Sequence, residues 1–206
     1  SLLYRLKEMR PDDFERDTSD LAASYQTAVI DMLVKRVQQA VERTGIERRH
    51  IAAEGQTTVD LGEQAARRAM QAAGVTADDI DLIVFGSTTP DLVFPNCGAL
   101  LQARLGIRGC PAMGLEAACS SFIYALSVAD KFVRLGESKC ALVVGAETLS
   151  RIVNWSDRGT AILFGDGAGA VVLKASDEPG VISTHLHTDG SYKDLLYCPV
   201  GVSAGF

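Results

Sequence analysis

The sequence predicts an α/β fold in which a mainly parallel sheet carries helices on its faces. Two observations support this class. Continuous apolar runs, typical of strands buried on both faces, alternate along the chain with segments that repeat apolar residues at helical spacing. Such an alternation needs crossover connections, which place successive strands parallel and pack the helices against the sheet.

The first predicted element is an amphipathic helix from about Ser24 to Thr44, ended by Gly45 as a C-cap. About half of the residues at 1–21 ahead of it are charged. We therefore treat 1–44 as an atypical N-terminal segment and 45–206 as the α/β domain. The apolar positions that recur at helical spacing in this helix are Ile30, Leu33, Val34, Val37 and Val41.

The domain is predicted to alternate helices with buried strands and to finish differently. In chain order the elements are a helix at 59–73, a strand at 82–85, a short helix ending at Gly106, a strand in CPAMGLEAA, a helix at 119–135 and a strand in KCALVVGAE. After them, GDGAGAVVLKAS and PGVISTHLHTDGS are predicted to form an antiparallel hairpin with its turn at 177–180.

The charge balance excludes several classes of partner. The 206 residues carry 20 basic and 26 acidic side chains, a net charge of −6, with no general attraction to phosphate backbones or anionic lipid. No uninterrupted apolar run reaches the length of about 18 residues that spans a membrane, and the N-terminus is too charged for a secretory signal. We therefore expect a cytoplasmic protein that binds neither nucleic acid nor membrane.

The cysteines and histidines do not form a recognisable metal or disulfide pattern. The five cysteines are widely spaced without any CxxC pair, which predicts free thiols. His185 and His187 alternate as on one face of a strand, but no third ligand accompanies them, so no metal site is expected.

Cys119 lies in GLEAACSSF, where a predicted buried strand meets a predicted helix. At a helix N-terminus, the unpaired backbone N–H groups and the positive end of the helix dipole favour a thiolate and can hold an oxyanion. The alternative is that Cys119 is one more small residue in an alanine-rich core. Local sequence leaves these two interpretations open in about equal measure.

The segment GDGAGA at 165–170 invites comparison with a dinucleotide-binding loop. Its spacing does not match GxGxxG, and a strand pattern follows it where a helix would be needed. We predict instead that its glycines allow the backbone to pass close to another element.

Five segments together resemble the N-terminal half of the beta-ketoacyl-acyl-carrier-protein synthase III family, in order and in spacing. They are RTGIERRH, AACSSF, KCALVVGAE, SDRGTAILFGDGAGAVVL and STHLHTDGSY, and the resemblance extends from about Glu42 to Gly201. It implies a thiolase-like layered fold, of which this chain holds one of two similar halves. It also implies an acyltransferase that initiates fatty acid biosynthesis, usually as a homodimer.

The resemblance assigns roles to four residues. The family's cysteine at the position of Cys119 attacks an acyl-CoA thioester, and the acyl group then condenses with malonyl-acyl carrier protein after decarboxylation. Arg43 and Arg158 match positions that contact coenzyme A, and Phe94 matches a residue that reaches the partner subunit's acyl pocket. Coenzyme A enters as a thioester substrate, and no cofactor is implied.

Three departures from the family limit what we expect of this chain. The histidine and asparagine that complete the family's catalytic triad belong to its C-terminal half, outside residues 1–206, and neither His185 nor His187 matches that histidine. Gln39 stands where the family has a tryptophan that stacks on the CoA adenine, and Ser121 stands where many relatives have glycine. We expect Cys119 to accept an acyl group without completing the condensation. The alternatives are a non-catalytic interaction module or a truncated gene product.

Overall fold

The computed structural model describes residues 41–178, 180–199 and 201–204, together with positions 27, 30–32, 34, 35, 38 and 39. The chain divides into two units, Ser1–Arg48 and Arg49–Phe206. The proposed domain boundary after residue 44 stays a prediction.

In the first unit, the described positions between 27 and 44 are helical, as predicted. Gly45 ends this helix in a left-handed conformation with φ of 70°, and its N–H donates to the Val41 carbonyl at 2.7 Å. Ile30 and Val34 of the predicted apolar stripe are about half exposed. Leu33 and Val37 lie outside the described residues.

The second unit is built on a four-stranded sheet. Its strands are β1 (Leu82–Gly86), β2 (Ala112–Leu115), β3 (Cys140–Thr148) and β4 (Asp166–Lys174), in the order β2-β1-β3-β4. β1 runs parallel to both of its neighbours, with Val84 opposite Met113 on one side and Val143 on the other. β4 is antiparallel to β3 and pairs Ala170 with Val144. The predicted mainly parallel sheet is confirmed.

The helices of this unit are α1 (Thr58–Ala73), α2 (Cys97–Leu105), α3 (Ser121–Arg134) and the single turn α4 (Arg158–Ala161). α1 begins with a capping box between Thr57 and Asp60 and ends at Gly74, with φ of 64°; α2 ends at Gly106, with φ of 73°. Both glycine stops lie where the sequence predicted them.

Two cores lie on opposite faces of the sheet because successive side chains of a strand point to opposite sides. α1 and α2 cover one face, where Phe85 and Val144 are fully buried. α3 covers the other face, where Val84 and Val143 are fully buried. Burying one such side chain contributes about 1.5–3 kcal/mol to folding. The unit is therefore a layered α/β structure, as predicted.

The ends of β1 and β3 are joined by the carboxylate of Asp81. It accepts hydrogen bonds from the Ser138 hydroxyl, from the Lys139 N–H at 2.7 Å and from the Cys140 N–H at 3.1 Å. Burial acts to raise the pKa of the Asp81 carboxyl, but these hydrogen bonds outweigh burial and hold that pKa below its ordinary value. The ionised carboxylate thus stabilises the alignment of the two strands.

Two strand predictions were wrong. β2 was expected to be buried, but its residues are partly exposed because it is an edge strand with β1 as its neighbour. The terminal hairpin does not form, since residues 181–189 contain no strand and β4 pairs with β3 instead. The segment is held along α3 by side chains: Thr184 contacts Ser127 at 3.0 Å, and Thr188 contacts Tyr124 at 2.8 Å.

Within the described part of the chain, no helix combines the length and the apolar character needed to cross a membrane.

Candidate active site around Cys119

Cys119 lies at the carboxyl end of the parallel strands. It follows β2 and sits in a single 3-10 turn, Ala118–Ser120, that connects this strand to α3. The Cys119 side chain is exposed, whereas Cys97 and Cys140 are buried. Open α/β sheets bind ligands at the carboxyl ends of their strands. The position therefore suits a reactive group better than a core residue.

The predicted helix start was two residues too early. α3 begins at Ser121, because Ala118–Ser120 form a 3-10 turn ahead of it. Within this turn, Ala118 adopts the left-handed backbone conformation, with φ of 47°. This conformation costs a non-glycine residue about 1–3 kcal/mol. Cys119 and Ser120 belong to the 3-10 turn Ala118–Ser120 and not to the α-helix. Cys119 therefore depends for its position on the turn as well as on the helix that follows.

Ser121 braces this turn from the helix side. Its hydroxyl accepts the Ala117 N–H at 2.8 Å and donates to the Ala118 carbonyl at 2.7 Å, and the residue is 2% exposed. Ser121 thus closes the turn by hydrogen bonds on both sides of the Ala117–Ala118 peptide.

Glu116 braces the turn from the strand side. One of its carboxylate oxygens accepts the Ala118 N–H at 2.8 Å and the Thr88 hydroxyl at 2.7 Å. The hydrogen bond from Thr88, followed by that from Ala118, holds the pKa of the Glu116 carboxyl below its ordinary value against the opposing effect of burial. Glu116 is therefore an anionic acceptor at neutral pH.

A second carboxylate fixes the loop that carries Thr88. Glu147, on β3, accepts the backbone N–H of Thr88 at 2.8 Å and that of Thr89 at 3.1 Å, as well as the Thr89 hydroxyl at 2.6 Å. The turn at Cys119 is thereby connected through Glu116 and Thr88 to β3, one of the two inner strands of the sheet.

A cavity of about 440 Å³ opens beside Cys119, and its floor is rich in glycine. A Cβ atom added at Gly86 would lie 2.7 Å from the Ser121 carbonyl carbon, and one added at Gly145 would lie 3.0 Å from the Phe122 Cβ. Glycine at these two strand positions lets the start of α3 approach the sheet closely. The lining residues come from β1, β3, β4, the turn and the start of α3, and include Gly86, Gly145, Gly167, Gly169, Cys119 and Phe122.

The three other predicted site residues are all exposed. Arg158 is exposed as the first residue of α4, and Phe94 is 83% exposed in the loop ahead of α2; neither lines the cavity. Arg43 is exposed near the end of the helix of the first unit. Their binding roles stay predictions.

GDGAGA forms the beginning of β4, in keeping with a strand. Asp166 accepts the Ala52 N–H at 2.7 Å, the Ser150 N–H at 2.8 Å and the Ser150 hydroxyl at 2.6 Å. A Cβ at Gly165 would lie 3.0 Å from the His50 carbonyl oxygen, so the predicted close backbone approach is present at Gly165. It is absent at Gly167 and Gly169, where a Cβ would meet nothing within 4 Å. Among the described residues, no cluster of histidine, cysteine and acidic side chains could hold a metal ion.

Sequence reasoning missed Glu116, Thr88 and Glu147. Glu116 carries the one available signal, since an acidic residue stands alone in GLEAACSSF among small and apolar neighbours. Polar residues in such surroundings usually have a specific hydrogen-bond partner. Thr88 and Glu147 become relevant through their position in the fold, which the sequence pattern does not specify.

Known proteins resemble this chain in both sequence and fold. The family model for 3-oxoacyl-[acyl-carrier-protein (ACP)] synthase III matches residues 113–190. A beta-ketoacyl-[acyl-carrier-protein] synthase III from Xanthomonas axonopodis pv. citri is 69% identical over 164 residues, which cover 80% of this chain and 50% of that protein. The chain spans about half the length of the curated relatives it matches.

Solved structures give the same result. The 3-oxoacyl-(acyl carrier protein) synthase III of Pseudomonas aeruginosa aligns with a TM-score of 0.74 and 38% identity, over 80% of this chain and 52% of that one. The enzyme from Aquifex aeolicus aligns with a TM-score of 0.66 and 45% identity, over 68% of this chain and 46% of that one. The predicted resemblance is confirmed: the chain corresponds to the N-terminal half of the thiolase-like fold of the beta-ketoacyl-acyl-carrier-protein synthase III family.

Proposed function

We propose that Cys119 accepts an acyl group from an acyl-CoA thioester, in the first half reaction of a beta-ketoacyl-acyl-carrier-protein synthase III. The observation that carries this proposal is the exposed thiol of Cys119 on a braced turn beside an open cavity at the carboxyl end of the sheet. The buried Cys97 and Cys140 lie inside the fold, and burial raises the pKa of both thiols, which disfavours a nucleophilic role for them.

The chemical step is a thiol exchange. The Cys119 sulfur attacks the thioester carbonyl, the bond from that carbonyl to the CoA sulfur breaks, and coenzyme A leaves as a thiol that takes up the proton given up by Cys119. An acyl-cysteine results, and no oxidant, metal or cofactor is consumed. The glycine-rich floor of the cavity leaves room for the acyl chain, while Arg158 and Arg43 are the proposed contacts to coenzyme A.

Intact-mass spectrometry tests this proposal. Protein incubated with acetyl-CoA should gain the mass of one acyl group, and Cys119→Ala should gain none. Cys198→Ala is the matched control, because Cys198 is also an exposed free thiol and should leave the adduct unchanged. A panel of acyl-CoA lengths then reports the chain that the cavity accepts. Absence of a Cys119-dependent adduct with every length contradicts the proposal and favours a non-catalytic interaction module.

We further propose that a protein of residues 1–206 stops at the acyl-enzyme. In the family, decarboxylation of malonyl-acyl carrier protein relies on a histidine and an asparagine from the other half. Single-turnover assays should therefore find acylated Cys119 that persists when malonyl-acyl carrier protein is added. Formation of 3-oxoacyl-acyl carrier protein at a rate comparable to a full-length synthase would contradict this proposal.

A cytoplasmic homodimer is proposed by analogy with the same family. The exposed apolar side chains Leu92, Val93 and Phe94 in one loop support a protein interface at this position. Light scattering should give a dimer mass, and Phe94→Ser should shift the population toward monomer. A monodisperse monomer at all concentrations tested would contradict the dimer without affecting the acylation experiment.

A further inference from the structure

We propose that Glu116 is a positioning residue, which holds the Cys119 thiol in place for acyl transfer by accepting the backbone N–H of Ala118. The inference rests on the proposed acylation of Cys119. It differs from that proposal because it concerns a carboxylate that does not line the cavity and acts through the turn that carries the nucleophile.

The residue immediately ahead of the nucleophile has a strained backbone conformation. Ala118, immediately ahead of Cys119, has φ of 47°, a left-handed conformation that glycine tolerates and alanine resists. Such a residue keeps this conformation when surrounding interactions over-determine it. The direction in which the Cys119 side chain leaves the backbone depends on this peptide unit, so whatever holds Ala118 also places the thiol.

Two side chains provide the interactions that hold Ala118 in this conformation. The Ala118 N–H donates to Glu116, while the Ala118 carbonyl accepts from the buried Ser121 hydroxyl. Both hydrogen-bonding groups of the strained residue are therefore held by side chains.

The Glu116 side chain is itself held in place by a hydrogen bond from Thr88. The carboxylate oxygen that accepts Ala118 also accepts the Thr88 hydroxyl, and Thr88 sits on a loop bound by Glu147 of β3. An exposed glutamate without such an anchor would sample several rotamers and position its neighbour poorly. Here the hydrogen bonds of Thr88 to Glu116 and to Glu147 fix the position of the Glu116 carboxylate relative to β3.

A positioning role of Glu116 predicts different acylation rates for its variants than a stabilising or an electrostatic role does. If acceptance of the N–H is what matters, Glu116→Gln keeps an oxygen acceptor and should acylate within about twofold of the unchanged protein, whereas Glu116→Ala should acylate about tenfold more slowly or worse. If the charge were what matters, Gln and Ala would fail alike, and the pH profile of acylation would shift in the Gln variant.

The experiment measures the rate of acylation by acetyl-CoA and the rate of alkylation by iodoacetamide for each variant. Iodoacetamide is small and needs no defined thiol direction, so its rate should stay within about twofold in Glu116→Ala while the acylation rate falls about tenfold. Glu137→Ala, at the other end of α3 and also exposed, is the matched control and should change neither rate. A parallel fall of both rates, with a lower melting temperature, would indicate a structural role and overturn the proposal.

Thr88 supplies a second test. Thr88→Val should slow acylation, and Thr88→Ser should restore it because it keeps the hydroxyl donor. The double variant Glu116→Ala with Thr88→Val should be no slower than Glu116→Ala alone, since Thr88 acts through Glu116. Additive losses would contradict this coupling.

A crystal structure of Glu116→Ala separates failure of this proposal from failure of the proposed function. We expect Ala118 to relax to negative φ in Glu116→Ala and to keep positive φ in Glu116→Gln. An unchanged Ala118 in Glu116→Ala overturns the positioning role whether or not Cys119 is acylated. Absence of any adduct in the unchanged protein, with Ala118 relaxed in the variant, refutes the acyl-transfer function alone.

Discussion

Gly86→Ala should both destabilise the α/β unit and displace the start of α3. The new Cβ atom would lie 2.7 Å from the Ser121 carbonyl carbon, which is about 0.8 Å inside the shortest favourable carbon–carbon separation of about 3.5 Å. Its nearest neighbours are the backbone carbon and oxygen of Ser121, which cannot rotate away as a side chain could. Overpacking of this kind costs about 1–3 kcal/mol of folding free energy.

Urea denaturation measures this cost, with Gly169→Ala as the matched control. Gly169 also lines the cavity, but a Cβ there meets nothing within 4 Å, so we expect a change within about 0.5 kcal/mol. The melting temperature of Gly86→Ala should fall by about 2–12 °C, because 1 kcal/mol corresponds to about 2–4 °C at this size. Equal stability of the two variants would refute the reasoning that glycine at position 86 is required by the close approach of α3.

Three further predictions concern charged side chains. The pKa of the Asp81 carboxyl is lowered in the folded state, so its stabilising contribution is present above the unfolded pKa of about 3.9 and is lost as pH falls through the folded pKa. Asp81→Asn should therefore unfold in less urea than the unchanged protein at pH 7. At pH 3 the two proteins should differ less. Asp166→Ala should lower the free energy of unfolding by about 1–3 kcal/mol, seen in the same assay, because it leaves three donors without their acceptor. Arg158→Ala should raise the acyl-CoA concentration for half-maximal acylation about two- to fivefold, with the exposed Arg108→Ala unchanged; equal values would remove Arg158 from the binding site.

Much of the fold could be predicted because its elements carry strong local signals. The buried strands at 82–86 and 140–148 contain the continuous apolar runs LIVF and CALVV. Gly74 and Gly106 end their helices in the left-handed conformation. These features depend on residues close together in the chain, which is the range that periodicity and capping describe.

The failures lie where distant residues decide the outcome. The segment at 181–189 has strand-like alternation, but its threonines find hydroxyl partners on α3 and the edge of β4 stays without it. The start of α3 lies two residues later than predicted because Ala118–Ser120 form a 3-10 turn, in which Ala118 has a positive φ that a sequence pattern does not reveal for alanine. The sequence indicates Cys119 as the candidate nucleophile. It does not indicate the support from Glu116, because that support depends on the loop at Thr88 lying next to Glu116 in the fold.

The outer side of β4 has a consequence for handling the protein. Among the described residues no strand pairs with this side of β4, and from Gly167 to Leu173 it offers small or apolar side chains without proline or charge. Such an open rim is a template on which another chain can add a strand and seed aggregation. Because residues 167–171 of this strand also line the cavity beside Cys119, a charge placed there to block strand addition would alter the proposed acyl site as well.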